Sequence, residues 1–446
     1  MTTKFRSLFL IPLIFFAACK KDGPVSESAP FQVPATADIV MYEVNMRAFG
    51  PTHDFDAVTA RLDAIRDLGV NTLWLMPVHP VGQINSVGQL GSPYAVADYL
   101  GVNPEFGTLE DLEELISEAH KRDMAVVIDW VANHTAWDNP WISNTDWYTQ
   151  NASGEIISPP GTNWNDVADL NFDNQSMRQA MIDALSWWVN EAGIDGFRCD
   201  AADFVPYDFW KQAIDSLHAR VDRPFIMLAE GARADHFNAG FQMNYAWSFY
   251  GTLKNVMNSN GNVAALFDTH LSETGNLPAG THKLRFTTNH DETAWDNPPP
   301  DLFGSQEAAL AAFVLTTTIG GVPLIYGGQE VGVSFKVPFF SQSSIDWTAN
   351  PEVLSAYNDI MEVYTTQPAF RYGETIKHDA GYHMAVYSRK TGNEEVVVVV
   401  NPRYTDITAT LPAELQGSYK DLLGGGNYTL AVSITMEPYS WLFLKK

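Results

Sequence analysis

From residue 39 onward, short apolar runs alternate with stretches whose apolar residues recur at helical spacing, the pattern of parallel strands each followed by a covering helix. Seven runs are clear: "IVMYEVNMRAF", "VNTLWLMPV", "MAVVIDWVANH", "IDGFRCDAA", "FIMLAEG", "KLRFTTNHDE" and "VPLIYGGQE". A weaker eighth, "FQMNYAWSF", falls between the fifth and the sixth. In "TLEDLEELISEAHKRD" Thr108 is placed to cap a helix with Asp111 three residues on, and Leu112, Leu115, Ile116 and Ala119 follow on one face. Phe55, Val58, Leu62, Ile65 and Leu68 mark the stripe of another helix. Eight such units, with no Gly-rich dinucleotide fingerprint, predict a closed (β/α)8 TIM barrel over 39–366 rather than an open doubly wound sheet.

Two regions break the alternation. Residues 135–168, after the third run, are rich in Asn, Trp, Pro and Ser and have no helical period, which predicts a folded excursion over the barrel mouth. From residue 367 the texture changes to "HMAVYSRKTGNEEVVVVVNPR" and "YSWLFLKK", runs separated by turn residues such as Thr391-Gly392-Asn393. A C-terminal antiparallel β-sandwich over 367–446 is expected.

The N-terminus follows a different logic. Lys4 and Arg6 precede an apolar run, Leu8 to Ala18, that is too short to span a bilayer and suits the core of a secretory signal. Ala17 and Ala18 before Cys19 resemble the lipobox of bacterial lipoproteins, so the reading is a signal peptide over 1–18, a lipidated Cys19, and a Pro/Ser-rich tether over 19–38. That implies an exported, outer-membrane lipoprotein. The only other cysteine, Cys199, lies in a core run, which argues against a structural disulfide.

With 53 acidic against 27 basic residues the formal charge is −26, and no basic stripe is present, so a nucleic-acid partner is excluded as an expectation. A neutral partner fits better. In a barrel of this kind chemistry comes from the C-terminal ends of the strands. The polar residues there are Asn133 and His134, Arg198 and Asp200, Glu230, and Asn289, His290 and Asp291. Three carboxylates, two imidazoles and one guanidinium, with no well-placed nucleophilic Ser or Cys, point to carboxylate-driven glycoside cleavage. On a strand Arg198 and Asp200 share one face. Arg198 then favours the charged form of Asp200, the nucleophile, while Glu230, with no cation nearby in sequence, is the better acid/base.

"VVIDWVANH", "GFRCDAA", "FIMLAEG" and "FTTNHDE", in that order, resemble the four signature segments of the α-amylase superfamily of retaining α-glycoside hydrolases, and "VADLN" at 167–171 resembles its fifth. "GSPYAVADYLGVNPEFGT" and "GVPLIYGGQEVG" are also similar. The resemblance implies Asp200 as nucleophile, Glu230 as general acid/base and Asp291 as transition-state stabiliser. It further implies that Arg198, His134 and His290 hold the sugar, with Tyr94 stacking beneath it. A structural calcium held by Asn133 and Asp169 is implied by many relatives, although Phe204 stands where they usually carry His. No cofactor is required for the chemistry. The expected activity is cleavage of α-1,4-glucosidic bonds in starch-like glucans or maltooligosaccharides. An α-glucanotransferase or cyclomaltodextrinase-like enzyme is the alternative, and a non-catalytic glycan-binding protein is a third.

Overall fold

The computed structural model describes residues 31–446; the signal segment, Cys19 and most of the tether lie outside them. Eight parallel strands close into a barrel: Met41–Val44, Thr72–Leu75, Ala125–Val131, Gly196–Asp200, Ile226–Ala229, Met243–Tyr245, His282–Arg285 and Val322–Tyr326. Each pairs with its neighbours in sequence order, and the eighth returns to the first through Met41–Leu324 and Glu43–Tyr326. All eight apolar runs supply a strand, including the weak one.

The glycine that leads "GFRCDAA" has a physical reason. Gly196 opens the fourth strand at φ +145°, and a Cβ there would lie 2.0 Å from the Ile226 carbonyl oxygen of the fifth strand. Only a residue without a side chain lets the two strands approach so closely. Beyond it, Phe197 and Cys199 join the core between barrel and helices, while Arg198 and Asp200 point into the barrel. Cys199 is a free, buried thiol.

The helix Leu109–His120 carries both halves of the Thr108–Asp111 capping box and buries the four apolar residues of its stripe. The stripe from Phe55 to Leu68 is not one helix but two, Phe55–Thr59 and Leu62–Asp67, separated by Arg61 at φ −108° and ψ 1°. Its five apolar side chains are nonetheless all buried. At the break Arg61 lays its guanidinium over Trp347 at 3.8 Å.

After the third strand, His134–Ala136 pairs antiparallel with Val167–Asp169, so the excursion is closed at its base by a short ladder. The chain beyond the barrel forms a six-stranded antiparallel sheet and a two-stranded one. In Glu394–Val400 the unbroken valine run is explained by burial on both faces. Val396, Val398 and Val400 pack into the main core beside the barrel helices, while Val397 and Val399 pack with Leu411 and Ile434 in a second core. Arg389 ties the seam by donating to the carbonyls of Ile319 and Phe370 at 2.8 and 2.9 Å. The folded body also begins earlier than the expected end of the tether at 38. Thr36–Asp38 form a 3-10 turn, and Asp38 pairs with Arg371 at 2.6 Å.

Candidate active site

At the C-terminal mouth of the barrel lies a cavity of about 720 Å³. Asp200, Glu230, Asp291, Tyr94, His134 and His290 all line it. These residues leave five different connections of the barrel, so the closed sheet alone brings them together.

Arg198 is not among the lining residues. It is fully buried behind the carboxylates, with Nη1 at 2.8 Å from Asp129 and 3.0 Å from Asp200, and Nη2 at 3.1 Å from Glu230. The expected sugar contact by Arg198 is therefore replaced by a positioning role, because its fork is occupied by three anions. Glu230 also turns out to have a cationic neighbour that its sequence surroundings did not reveal. That contact is the weakest of the three: Nη2 makes no well-aligned hydrogen bond, and Glu230 takes its short one, 2.6 Å, from the Ala201 amide. Ala201 sits at φ +43°, a strained conformation that turns its N–H toward Glu230 immediately after the nucleophile candidate.

Burial is the largest influence on these acids and raises Asp129, Asp200 and Glu230 above the ordinary carboxylate range, with Arg198 opposing it. Neighbouring carboxylates add to desolvation in both, Asp129 and Asp291 at Asp200, which rises to about 6, and Asp200 and Asp291 at Glu230, which rises to about 7. Mutual repulsion keeps the two acids from ionising together, which suits a pair in which one carboxyl is charged while the other keeps its proton.

His290 takes the opposite course. Burial works against its charge, yet the carboxylates of Asp291 and Glu43 outweigh it and hold the imidazole up at about 9. Its Nδ1 lies 2.5 Å from Glu43, and its Nε2 lies 2.7 Å from the Tyr94 hydroxyl and 3.3 Å from Asp291. His134 is pushed down to about 4 by burial and is neutral at working pH. Tyr94 stacks on His290 at 5.5 Å between ring centres, and its hydroxyl donates to Asp129 at 3.0 Å.

Glu43 and Asp129 were not singled out from the sequence. Both are fully buried acids inside apolar runs, the same signal that marked Arg198 and Asp200, so they were there to be found. Glu43 is a positioning residue: it fixes the tautomer and charge of His290 from the first strand. Glu43→Gln keeps the shape but removes the anion. Its expected result is a His290 imidazole that titrates about one unit or more lower, followed by NMR of the ring protons. A purely structural role would lower the melting temperature and leave that titration in place.

The tryptophans of the excursion divide. Trp137, Trp141 and Trp147 pack against the core, whereas Trp164 lines the cavity with Phe204 beside it at 5.7 Å between ring centres.

The expected calcium position is poorly furnished. Asn133 turns its amide nitrogen to His134, and Asp169 is a half-buried carboxylate raised by burial and relieved by the Thr149 hydroxyl. Among the described residues no group of three or more His, Cys, Asp or Glu side chains could hold a metal. Two side chains do not fill the six to eight oxygens calcium takes. Backbone carbonyls beside Asn133 and Asp169 would have to supply most of a calcium shell, and no step is routed through the ion.

Residues 45–410 match the model of the alpha amylase catalytic domain. The chain belongs to the α-amylase family. Among its relatives, an α-amylase, MalA, from Haloarcula japonica is 30% identical over 93% of this chain, which spans 64% of that protein's length. A cyclomaltodextrin glucanotransferase of Niallia circulans is 27% identical over 83% of the chain and 58% of its own length. The crystal structure of a maltogenic α-amylase, AmyB, from Thermotoga neapolitana superposes with a TM-score of 0.84 at 27% identity, covering 93% of this chain and 99% of that one.

Proposed function

We propose that this family member hydrolyses α-1,4-glucosidic bonds of starch-like glucans or maltooligosaccharides with retention of configuration. The observation that carries the reading is the shared guanidinium: Arg198 contacts both Asp200 and Glu230. Both carboxylates are gathered on one guanidinium at the mouth of the cleft, an arrangement that suits a double displacement in which the two flank one glycosidic bond about 5 Å apart.

Glu230, the more readily protonated acid, gives its proton to the glycosidic oxygen as that bond breaks. Asp200 attacks the anomeric carbon and forms a glycosyl ester on the β face. Glu230, now ionised, removes a proton from water, which displaces Asp200 and releases an α-configured product. Asp291 places negative charge beside the oxocarbenium-like transition state, and protonated His290 holds Asp291 and the Tyr94 hydroxyl in place at the sugar's edge. His134 and Tyr94 line the same ring's position.

Phe204, 55% exposed, and Trp164 offer an apolar face on the leaving-group side. A sugar stacked there competes with water for the glycosyl ester, and this favours a second reading, transfer to a sugar acceptor. Incubation with soluble starch, followed by proton NMR and chromatography, tests both. α-Anomeric maltooligosaccharides are expected, and longer products on adding maltose mark transfer. If all α-glucans stay intact while another α-linked sugar is consumed, the substrate assignment is wrong.

From the sequence alone, the chain is an exported lipoprotein anchored through Cys19. Incorporation of labelled palmitate that survives Cys19→Ser would refute this.

A further inference from the structure

We infer that a laced strap closes the glycone side of the cleft, so that the enzyme works from non-reducing chain ends and releases one or two glucosyl units at a time. This rests on the function proposed above and specifies its mode of attack.

The leaving group departs beside Glu230, which follows the fifth strand. In a closed barrel of eight, the connections after the first, second and eighth strands lie across the mouth from there, on the side of the retained sugar. On that side two segments meet, 84–92 after the second strand and 333–345 after the eighth. The Leu90 amide donates to the Phe340 carbonyl at 3.0 Å. Gly88 faces Phe340 so closely that a Cβ would stand 2.4 Å from the Phe340 Cβ, at φ +69°.

Arg47, in the short helix after the first strand, fastens both segments. Its guanidinium donates to the carbonyls of Gly91 at 2.7 Å and Leu90 at 3.0 Å, and pairs with Glu105 at 3.0 Å. Its own carbonyl accepts from the Ser343 amide at 3.0 Å. Arg47 is 2% exposed, so these bonds are shielded from competing water.

The inner surface of the strap is aromatic. Phe339 stacks on Tyr94 at 5.7 Å, and Phe340 and Trp295 continue the wall at 5.0 and 5.6 Å from Phe339. Tyr94 and His290 border the position of the sugar that is cleaved, so this wall begins within one ring of it. Phe339 and Phe340 also line the catalytic cavity, so a longer glycan continuing past the cleaved sugar on this side meets them first.

The test uses the full chain and p-nitrophenyl maltoheptaoside, either free or blocked by a 4,6-ethylidene group at its non-reducing end. Disappearance of each substrate and the chain lengths of its p-nitrophenyl products are read by chromatography, with no coupling enzyme present. The wild type is expected to cleave the blocked substrate at least about tenfold more slowly than the free one, the scale on which a shaped pocket discriminates. In the Phe339→Ala/Phe340→Ala variant the blocked-to-free ratio is expected to rise about tenfold, whatever happens to the absolute rate. Equal wild-type rates on the two substrates would overturn the strap while leaving the proposed hydrolase intact. An unchanged ratio in the variant would also overturn it. If the wild type cleaves neither, the hydrolase reading falls and the strap's role with it. As a second readout, Gly88→Ala should push Phe340 off the strap and raise the same ratio.

Discussion

Replacing Asp200 by Asn lowers kcat on maltooligosaccharides by about 10⁴-fold or more, the scale on which loss of a nucleophile disables covalent catalysis. The side chain keeps its volume and an oxygen for the Arg198 contact, so the melting temperature should change little. The chemistry of rescue is more telling than the loss. In Asp200→Ala a space opens on the β face of the anomeric carbon. Azide entering it attacks an activated α-maltosyl fluoride and yields the β-maltosyl azide, with inversion. Full activity in Asp200→Asn, or azide products of the α configuration in Asp200→Ala, would remove Asp200 from the nucleophile's role.

Glu230→Gln is the complementary experiment. The rate on natural oligosaccharides should fall by about 10²–10⁴-fold, the range for a lost general acid. α-Maltosyl fluoride, whose leaving group needs little protonation, should lose far less in the step that forms the glycosyl ester. Azide then intercepts that ester from the α face, so the product is the α-azide. The pH profile carries the second half of the prediction. The reactive form has Asp200 ionised and Glu230 protonated, and activity is lost as Asp200 gains a proton at low pH or Glu230 loses one at high pH. Because burial raises both acids, the bell of the wild type should centre above the ordinary carboxylate range of about 4. Its two limbs belong to the coupled pair rather than to either residue. In Glu230→Gln the first alkaline limb disappears, and the decline that remains follows His290 at about 9. A wild-type optimum near pH 4 would contradict the buried, mutually repelling arrangement.

The barrel was legible in the sequence because each strand is an apolar run and each cover helix has its own stripe, both set by neighbours close in the chain. The ends of those runs were legible for the same reason, and Asp200, Glu230, Asp291, His134, His290 and Tyr94 do meet in one cavity. What stayed hidden depends on distance along the chain. Arg198 reaches Glu230, 32 residues away, across the fourth and fifth strands, and so the argument that Glu230 has no cation beside it failed in the folded state. Glu43 joins His290 over 247 residues, a pairing that only barrel closure creates. The strap is a further case: neither 84–92 nor 333–345 has a period, and what fastens them is a single arginine whose partners lie on two connections. The helix break at Arg61 could not be read either, since the stripe of buried residues runs straight through it.

The valines of Glu394–Val400 belong to two interiors at once, three to the barrel's and two to the sandwich's own. A chain cut after the last barrel helix would leave an oily flank on the catalytic body, together with a helix end at Ile319 whose carbonyl had lost Arg389. The terminal sheet is therefore no detachable accessory. It serves as a wall of the barrel, and any graft, fusion or trimming that treats residue 367 as a cutting point severs one cooperative structure through its middle.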